Sequence, residues 1–229
     1  MSDWYRGSER PEMLALIPAR RSTVLEVGCG EGRFAASIPG VTETWGVEPD
    51  AGAAAIAGRR LSHVLQSTFD AAKEKLPQAY FDVIVCNDVI EHLVDHDHFL
   101  EDAKVLLATG GVLVASIPNV RHYLNLFELL VARDWEYREA GILDRTHLRF
   151  FTARSLRRTL RQHGYRIDLF RGINGGIRVR WSKWGLMTAL FGYLMIALSL
   201  GRSRDIIHPQ FAVRASITDG APAGPTTLS

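Results

Sequence analysis

The sequence predicts an α/β fold with a mostly parallel sheet and helices on both faces. Short apolar, β-branched runs recur near 23–28, 43–48, 62–66, 80–86 and 111–117, each separated by a stretch able to hold a helix. Phe81-Asp82-Val83-Ile84-Val85-Cys86 is apolar almost throughout, as a strand covered on both faces should be. The first run ends in Gly28-Cys29-Gly30-Glu31-Gly32 just where the pattern changes from strand to helix. Three glycines at alternate positions allow a tight turn with positive φ and let a ligand come close to the backbone. The helix that follows offers unpaired N–H groups at its start.

The bulk properties narrow the classes. A chain of 229 residues suffices for one α/β domain with an elaboration. A hydrophobic content of 47% with 23% charged residues excludes an unfolded chain. The net charge of +2 leaves no electrostatic footprint for a nucleic-acid partner. Met1 to Ile17 carries Asp3, Arg6, Glu9, Arg10 and Glu12 and lacks the apolar core of a secretory leader, so a cytoplasmic location is expected. The two cysteines, Cys29 and Cys86, fall at strand ends and read as reduced core thiols. No metal-ligand spacing is visible, and no metal is expected.

Each element has its own signal. The second run, Thr44-Trp45-Gly46-Val47-Glu48-Pro49-Asp50, ends in a carboxylate, which at a strand tip can accept two ribose hydroxyls. The third, His63-Val64-Leu65-Gln66, is followed by Ser67-Thr68-Phe69-Asp70. Asn87 and Asp88 stand at the carboxyl end of the fourth, ahead of Glu91-His92-Leu93. Asp95 to Leu107 forms an amphipathic helix with Phe99, Val105, Leu106 and Leu107 toward the sheet, closed by Thr109-Gly110-Gly111. After the fifth strand comes an insertion, 118–151, with an apolar helix around Leu124 to Val131 and then Gly141-Ile142-Leu143-Asp144-Arg145-Thr146-His147. A helix from Ser155 to His163, a sixth strand from Tyr165 to Phe170 and a seventh from Ile206 to Ile217 complete the domain, which spans 1–218. Residues 219–229 lack core formers and read as a disordered tail. Between strands six and seven, 185–201 is apolar all round and must be buried in protein or lipid. At about 1.5 Å per residue it reaches roughly 25 Å, borderline for a membrane span. Trp181 and Trp184 on one flank and Arg202 and Arg204 on the other suit a helix in the membrane interface. Packing on the domain or on a second copy in a homodimer is the alternative for 181–204.

Glu26-x-Gly28-x-Gly30-x-Gly32, with Glu48 at the second strand tip and Phe81-Asp82…Glu91-His92-Leu93, resembles class I S-adenosylmethionine-dependent methyltransferases. The similarity covers most of 10–170. It implies a Rossmann-like seven-stranded, mostly parallel sheet with strand 7 antiparallel, and helical insertions after strand 5 and between strands 6 and 7. It further implies S-adenosylmethionine as cofactor, held by Glu26, Gly28, Cys29, Gly30, Gly32, Glu48, Thr68, Phe69, Asn87 and Asp88. Many members carry Asp where Thr68 stands; here the hydroxyl of Thr68 and the ring of Phe69 are the groups available for the adenine. Gly141 to Thr152 resembles a bacterial subgroup linked with polysaccharide or glycolipid modification, and more distantly the quinone-biosynthesis O-methyltransferases.

Transfer to a hydroxyl is helped by a base that titrates near working pH, which points to histidine. His147, His92 and His122 are the catalytic candidates, with Asn119, Asp144 and Arg145 on the substrate side. The same residue types cap helices and satisfy cores, so geometry must choose among them. The expected activity is methyl transfer to oxygen, on a hydroxyl of a glycan or lipid-linked sugar. The rivals are a quinol or phenol acceptor and a regulatory protein that binds S-adenosylmethionine without turnover. A base-nitrogen methyltransferase would need an Asn/Asp-Pro-Pro-aromatic tetrad, which Ile117-Pro118-Asn119 does not supply.

Overall fold

A computed structural model describes residues 10–177, 179 and 181–218. The expected tail, 219–229, and the residues before Arg10 lie outside them. Seven strands form one sheet in the order β3-β2-β1-β4-β5-β7-β6. They are β1 (Thr23–Val27), β2 (Glu43–Val47), β3 (His63–Leu65), β4 (Phe81–Asn87), β5 (Leu107–Pro118), β6 (Tyr165–Ile173) and β7 (Gln210–Ile217). The first five are parallel, while β7 runs antiparallel to both neighbours, as expected. Chain order reverses between β1 and β4, which opens a crevice at their carboxyl ends.

Residues alternate across the sheet, and the two halves of each strand's side chains feed different cores. Ile84, Cys86, Leu113 and Ala115 meet Phe99, Leu106, Leu156 and Phe211 on one face. Val83, Val85, Val112 and Val114 meet Met13, Leu16 and Phe34 on the other.

The longer helices begin where side chains cap them. Asp50 accepts from Ala53 N (2.8 Å) at α3 (Ala51–Ala57), preceded by α1 (Pro11–Leu14) and α2 (Arg33–Ser37). After α4 (Phe69–Ala72), Asp95 caps α5 (His96–Leu106) through His98 N at 2.8 Å. Val105 of α5 is 52% exposed and does not face the sheet, unlike its neighbour Leu106. The strand after α5 starts at Leu107, earlier than the glycine pair suggested, and slips register between Phe81 and Val83 of its partner. The insertion helix is α6 (Tyr123–Phe127), continued as a wider turn over Glu128–Ala132. A reciprocal Thr152–Ser155 capping box opens α7 (Ala153–Gln162).

The second insertion is α8 (Lys183–Leu198), capped by Ser182 through Gly185 N at 3.0 Å. Only Gly185, Ala189 and Gly192 along it are buried, a stripe of small residues against the domain. Leu186, Met187, Leu190, Tyr193, Leu194 and Leu198 are exposed, while Phe191 packs edge-on to Phe127 at 5.6 Å beside the small-residue stripe. No helix among the described residues is long and apolar enough to cross a membrane. The seventh strand begins at Gln210 and not at Ile206, because 204–207 coil into a tight turn and Pro209 has no N–H for a ladder.

Candidate functional site

The glycine turn is open backbone shaped by positive φ at Gly28 (67°), Gly30 (52°) and Gly32 (74°). Its ends are pinned by Gly28 N donating to Val47 O (2.8 Å) and Gly32 N to Cys29 O (2.8 Å). A Cβ on Gly28 would lie 2.7 Å from Val89 Cγ2, so the position excludes any side chain on space as well as on φ. Glu48 faces this turn. One carboxylate oxygen accepts from Gly30 N at 2.8 Å and the other from Asp50 N at 3.0 Å, with the residue only 4% exposed. Each oxygen has a second lone pair, so the carboxylate keeps acceptor capacity for hydroxyl donors.

Glu26 lies beneath the turn, buried, accepting from Ala35 N at 3.0 Å near the start of α2. Burial pushes its carboxyl up to about 8, against the pull of the Ala35 N–H and of the Asn87 amide 3.5 Å away. Burial likewise raises the thiols of Cys29 and Cys86, which are free and inert. The Asn87 side-chain oxygen is buried with no hydrogen-bond partner among the described residues. Thr68 precedes α4, its side chain making no cap bond, while the ring of Phe69 packs edge-on to Phe99 at 4.7 Å in the core.

Asp88 is committed elsewhere. At φ 56° it turns its carboxylate into a buried network: Arg10 at 2.6 Å, Ser116 Oγ at 2.9 Å and the Gln210 amide at 3.0 Å. Both ion-pair side chains are 8% exposed. This network joins the N-terminal segment, β4, β5 and β7 behind the crevice. Asn119 is equally occupied, donating to Asp205 O and His208 O (2.9 Å each) and accepting from Arg121 N at 3.0 Å.

Two of the three histidines come together. The rings of His92 and His147 are 4.7 Å apart, inclined at 71°. Glu91, 1% exposed, shares their space, and no described group hydrogen-bonds its carboxyl oxygens. Burial first, then the Asp88 charge, drives the Glu91 carboxyl well above its ordinary range. Burial and the neighbouring His147 lower the affinity of His92 for a proton. Asp144 steadies the loop by accepting from Thr146 N (2.8 Å) and Thr146 Oγ1 (2.6 Å). Arg145 points outward to Glu139 at 2.8 Å. Sequence reasoning missed this grouping because Glu91 and His147 come from separate segments; only the buried acid beside His92 gave a local signal.

His122 stands apart, on the wall of a cavity of about 880 Å³ shared by Pro118, Tyr123, Asn174, Trp184 and Gln210. Burial, then the His208 charge, depresses its imidazole to about 4, so it is neutral at physiological pH. The cavity runs from the carboxyl end of β5 to the first turns of α8.

A family model described as a methyltransferase domain matches residues 6–169. A probable S-adenosylmethionine-dependent methyltransferase of Mycolicibacterium smegmatis is 38% identical over 117 residues, covering 51% of this chain and 46% of that protein. The ubiquinone biosynthesis O-methyltransferase of Vibrio atlanticus is 34% identical over 117 residues, 48% of each chain. The chain thus spans about half the length of these curated relatives. The crystal structure of a SAM-dependent methyltransferase from Archaeoglobus fulgidus superposes with a TM-score of 0.65 at 18% identity, over 93% of this chain and 96% of that one. With the glycine turn, the acid facing it and the seven-stranded sheet all in place, the chain belongs to the class I methyltransferase-domain family and uses S-adenosylmethionine.

Proposed function

We propose that the chain transfers a methyl group to a hydroxyl oxygen of a glycan or lipid-linked sugar. The observation that carries this reading is the large cavity beside α8: polar Asn174, Gln210 and Thr188 line it together with Trp184, at the foot of an exposed apolar helix. Such a wall suits a hydroxyl-rich head whose tail is apolar. The residues of the crevice fit the donor: Glu48 has acceptor capacity for the ribose, and the orphaned oxygen of Asn87 has room for a donor. Glu26, Gly28, Cys29, Gly30 and Gly32 would hold its methionine part, with Thr68 and Phe69 toward the adenine and Asp88 acting through its network. S-adenosylmethionine supplies a methyl on a sulfonium leaving group, so the protein's work is alignment and exclusion of water. His92, His147 and Glu91, which lie outside the lining of that cavity, form the group that can engage an acceptor hydroxyl reaching beyond it; His122, neutral and on the cavity wall, is the second choice, with Asp144 and Arg145 shaping the loop.

The polar acceptor would be presented at a lipid surface through 181–204. Exposed Trp181, Trp184 and the outer face of α8 offer apolar contact, and Lys183, Arg202 and Arg204 offer charge toward anionic headgroups. The protein would then work on the cytoplasmic face of a membrane. A quinol or phenol acceptor is the second reading, favoured by the relative from Vibrio atlanticus.

The test is incubation with methyl-labelled S-adenosylmethionine and cell-envelope fractions. Alkali-stable label in glycan or glycolipid is expected. Label in quinones supports the second reading, and binding of the donor without transfer to any extract identifies a regulator instead.

A further inference from the structure

Glu91, His92 and His147 each offer a ligand-type atom within 4.8 Å of the other two. Among the described residues, no group outside Glu91 itself hydrogen-bonds either of its carboxyl oxygens, although the residue is 1% exposed. A polar group at that depth without a partner needs an explanation.

The imidazoles supply one. Nδ1 of His147 lies 2.9 Å from Ile142 O. Nδ1 of His92 lies 3.2 Å from Thr146 O and 3.1 Å from Thr146 Oγ1. A carbonyl only accepts, so in each ring Nδ1 carries the proton and Nε2 keeps a lone pair. The Thr146 hydroxyl gives its own proton to Asp144, at 2.6 Å, so its oxygen also accepts from His92. Ligating histidines are oriented in this way, one ring nitrogen anchored on an acceptor and the other free. Asp88 and Asp144 both act on Glu91, and the Arg10 cation, which acts the other way, is paired to Asp88 at 2.6 Å.

We propose that Glu91, His92 and His147 bind a divalent first-row transition cation through a carboxylate oxygen and two imidazole nitrogens. Zn²⁺ is the fitting probe, since two histidines and one carboxylate make a three-ligand set with a fourth tetrahedral position open. This deepens the function proposed above and rests on it only for the fourth ligand, an oxygen of the acceptor. Thr146 is a positioning residue, acting through His92.

The full chain, stripped with a chelator, is titrated with Zn²⁺ by calorimetry, and Co²⁺ is followed by its visible absorption. One equivalent is expected to bind, with Co²⁺ giving the intense bands of a tetrahedral site. Glu91→Gln and His147→Gln abolish this binding, Thr146→Val weakens it about 10–100-fold, and Thr146→Ser restores it. His98→Gln, on the exposed side of α5, leaves it unchanged. Retained S-adenosylmethionine binding certifies that each variant is folded. Failure of the wild-type chain to bind Zn²⁺ while it still binds S-adenosylmethionine overturns the proposal, and so does metal binding that E91Q and H147Q leave intact. Methyl transfer to oxygen by a chain that fails to bind Zn²⁺ refutes the cation site and keeps the proposed function. Stoichiometric binding without transfer to oxygen keeps the site and refutes the function.

Discussion

Glu26 couples the cofactor turn to pH, and the size of the effect follows from its surroundings. In the unfolded chain its carboxyl titrates near 4.5; in the folded protein burial moves it to about 8. Between these values the folded state holds a proton that the unfolded state has lost. Stability therefore falls as pH rises. The contribution is fully present below about 4.5, declines through neutrality and is gone above about 8. At 1.36 kcal/mol per pH unit the whole window amounts to about 5 kcal/mol, comparable to the entire stability of a modest domain. Glu26→Gln removes the titration and keeps the shape. Its amide oxygen can still accept from Ala35 N, and a flip of the Asn87 amide, whose NH₂ now faces Glu26, turns the Asn87 oxygen toward the new NH₂. Urea unfolding of both proteins at several pH values across the window measures the effect. The difference in unfolding free energy, wild type minus E26Q, should drop by about 5 kcal/mol from the acid end to the alkaline end. A difference that stays constant, or grows, refutes the argument. A cationic amino group placed near Glu26 favours its anion, so donor binding near neutral pH should release a proton, read by calorimetry in buffers of different ionisation enthalpy.

Two further outcomes test the framework behind the crevice and the exposed helix. Asp88→Asn keeps a residue that tolerates positive φ but removes the closer of the two acids paired to the buried Arg10 guanidinium, leaving Glu12 at 3.2 Å. A loss of roughly 3–5 kcal/mol is expected in chemical denaturation, largely recovered by Arg10→Met in the same chain. In liposome flotation, the protein should rise with anionic vesicles, and replacing Leu190 and Leu194 by Ser should leave it at the bottom of the gradient. Retention of flotation by that variant counts against lipid contact, and a concentration-dependent dimer abolished by the same changes identifies a second copy as the occupant.

The sheet and the donor turn were legible because their signals are local. Alternating glycines, a carboxylate at a strand tip and runs such as Val83-Ile84-Val85 act within a few residues of themselves. The placement of Val105 was not, since helix phase at the last turn decides whether it meets the sheet or solvent. The all-round apolarity of α8 predicted burial, yet only its glycines and Ala189 are buried, and sequence alone does not say what covers the exposed leucines. Asp88 looked like a ligand-binding residue at a strand end. Its partners Arg10 and Gln210 stand near opposite ends of the chain, and no spacing rule connects them. The Glu91, His92 and His147 cluster was hidden for the same reason.

The position of β7 between β5 and β6 has a consequence for biosynthesis. On the ribosome, the first five strands emerge in an order that lets each find a neighbour, but β6 has none until the last strand arrives. Until then β5 presents a bare edge, the kind of surface that templates wrong pairings. Gln210, the residue that completes the cage around Asp88, comes with that final strand. A chain released early would carry the whole donor-binding half and yet lack the clasp that holds its first and last segments together.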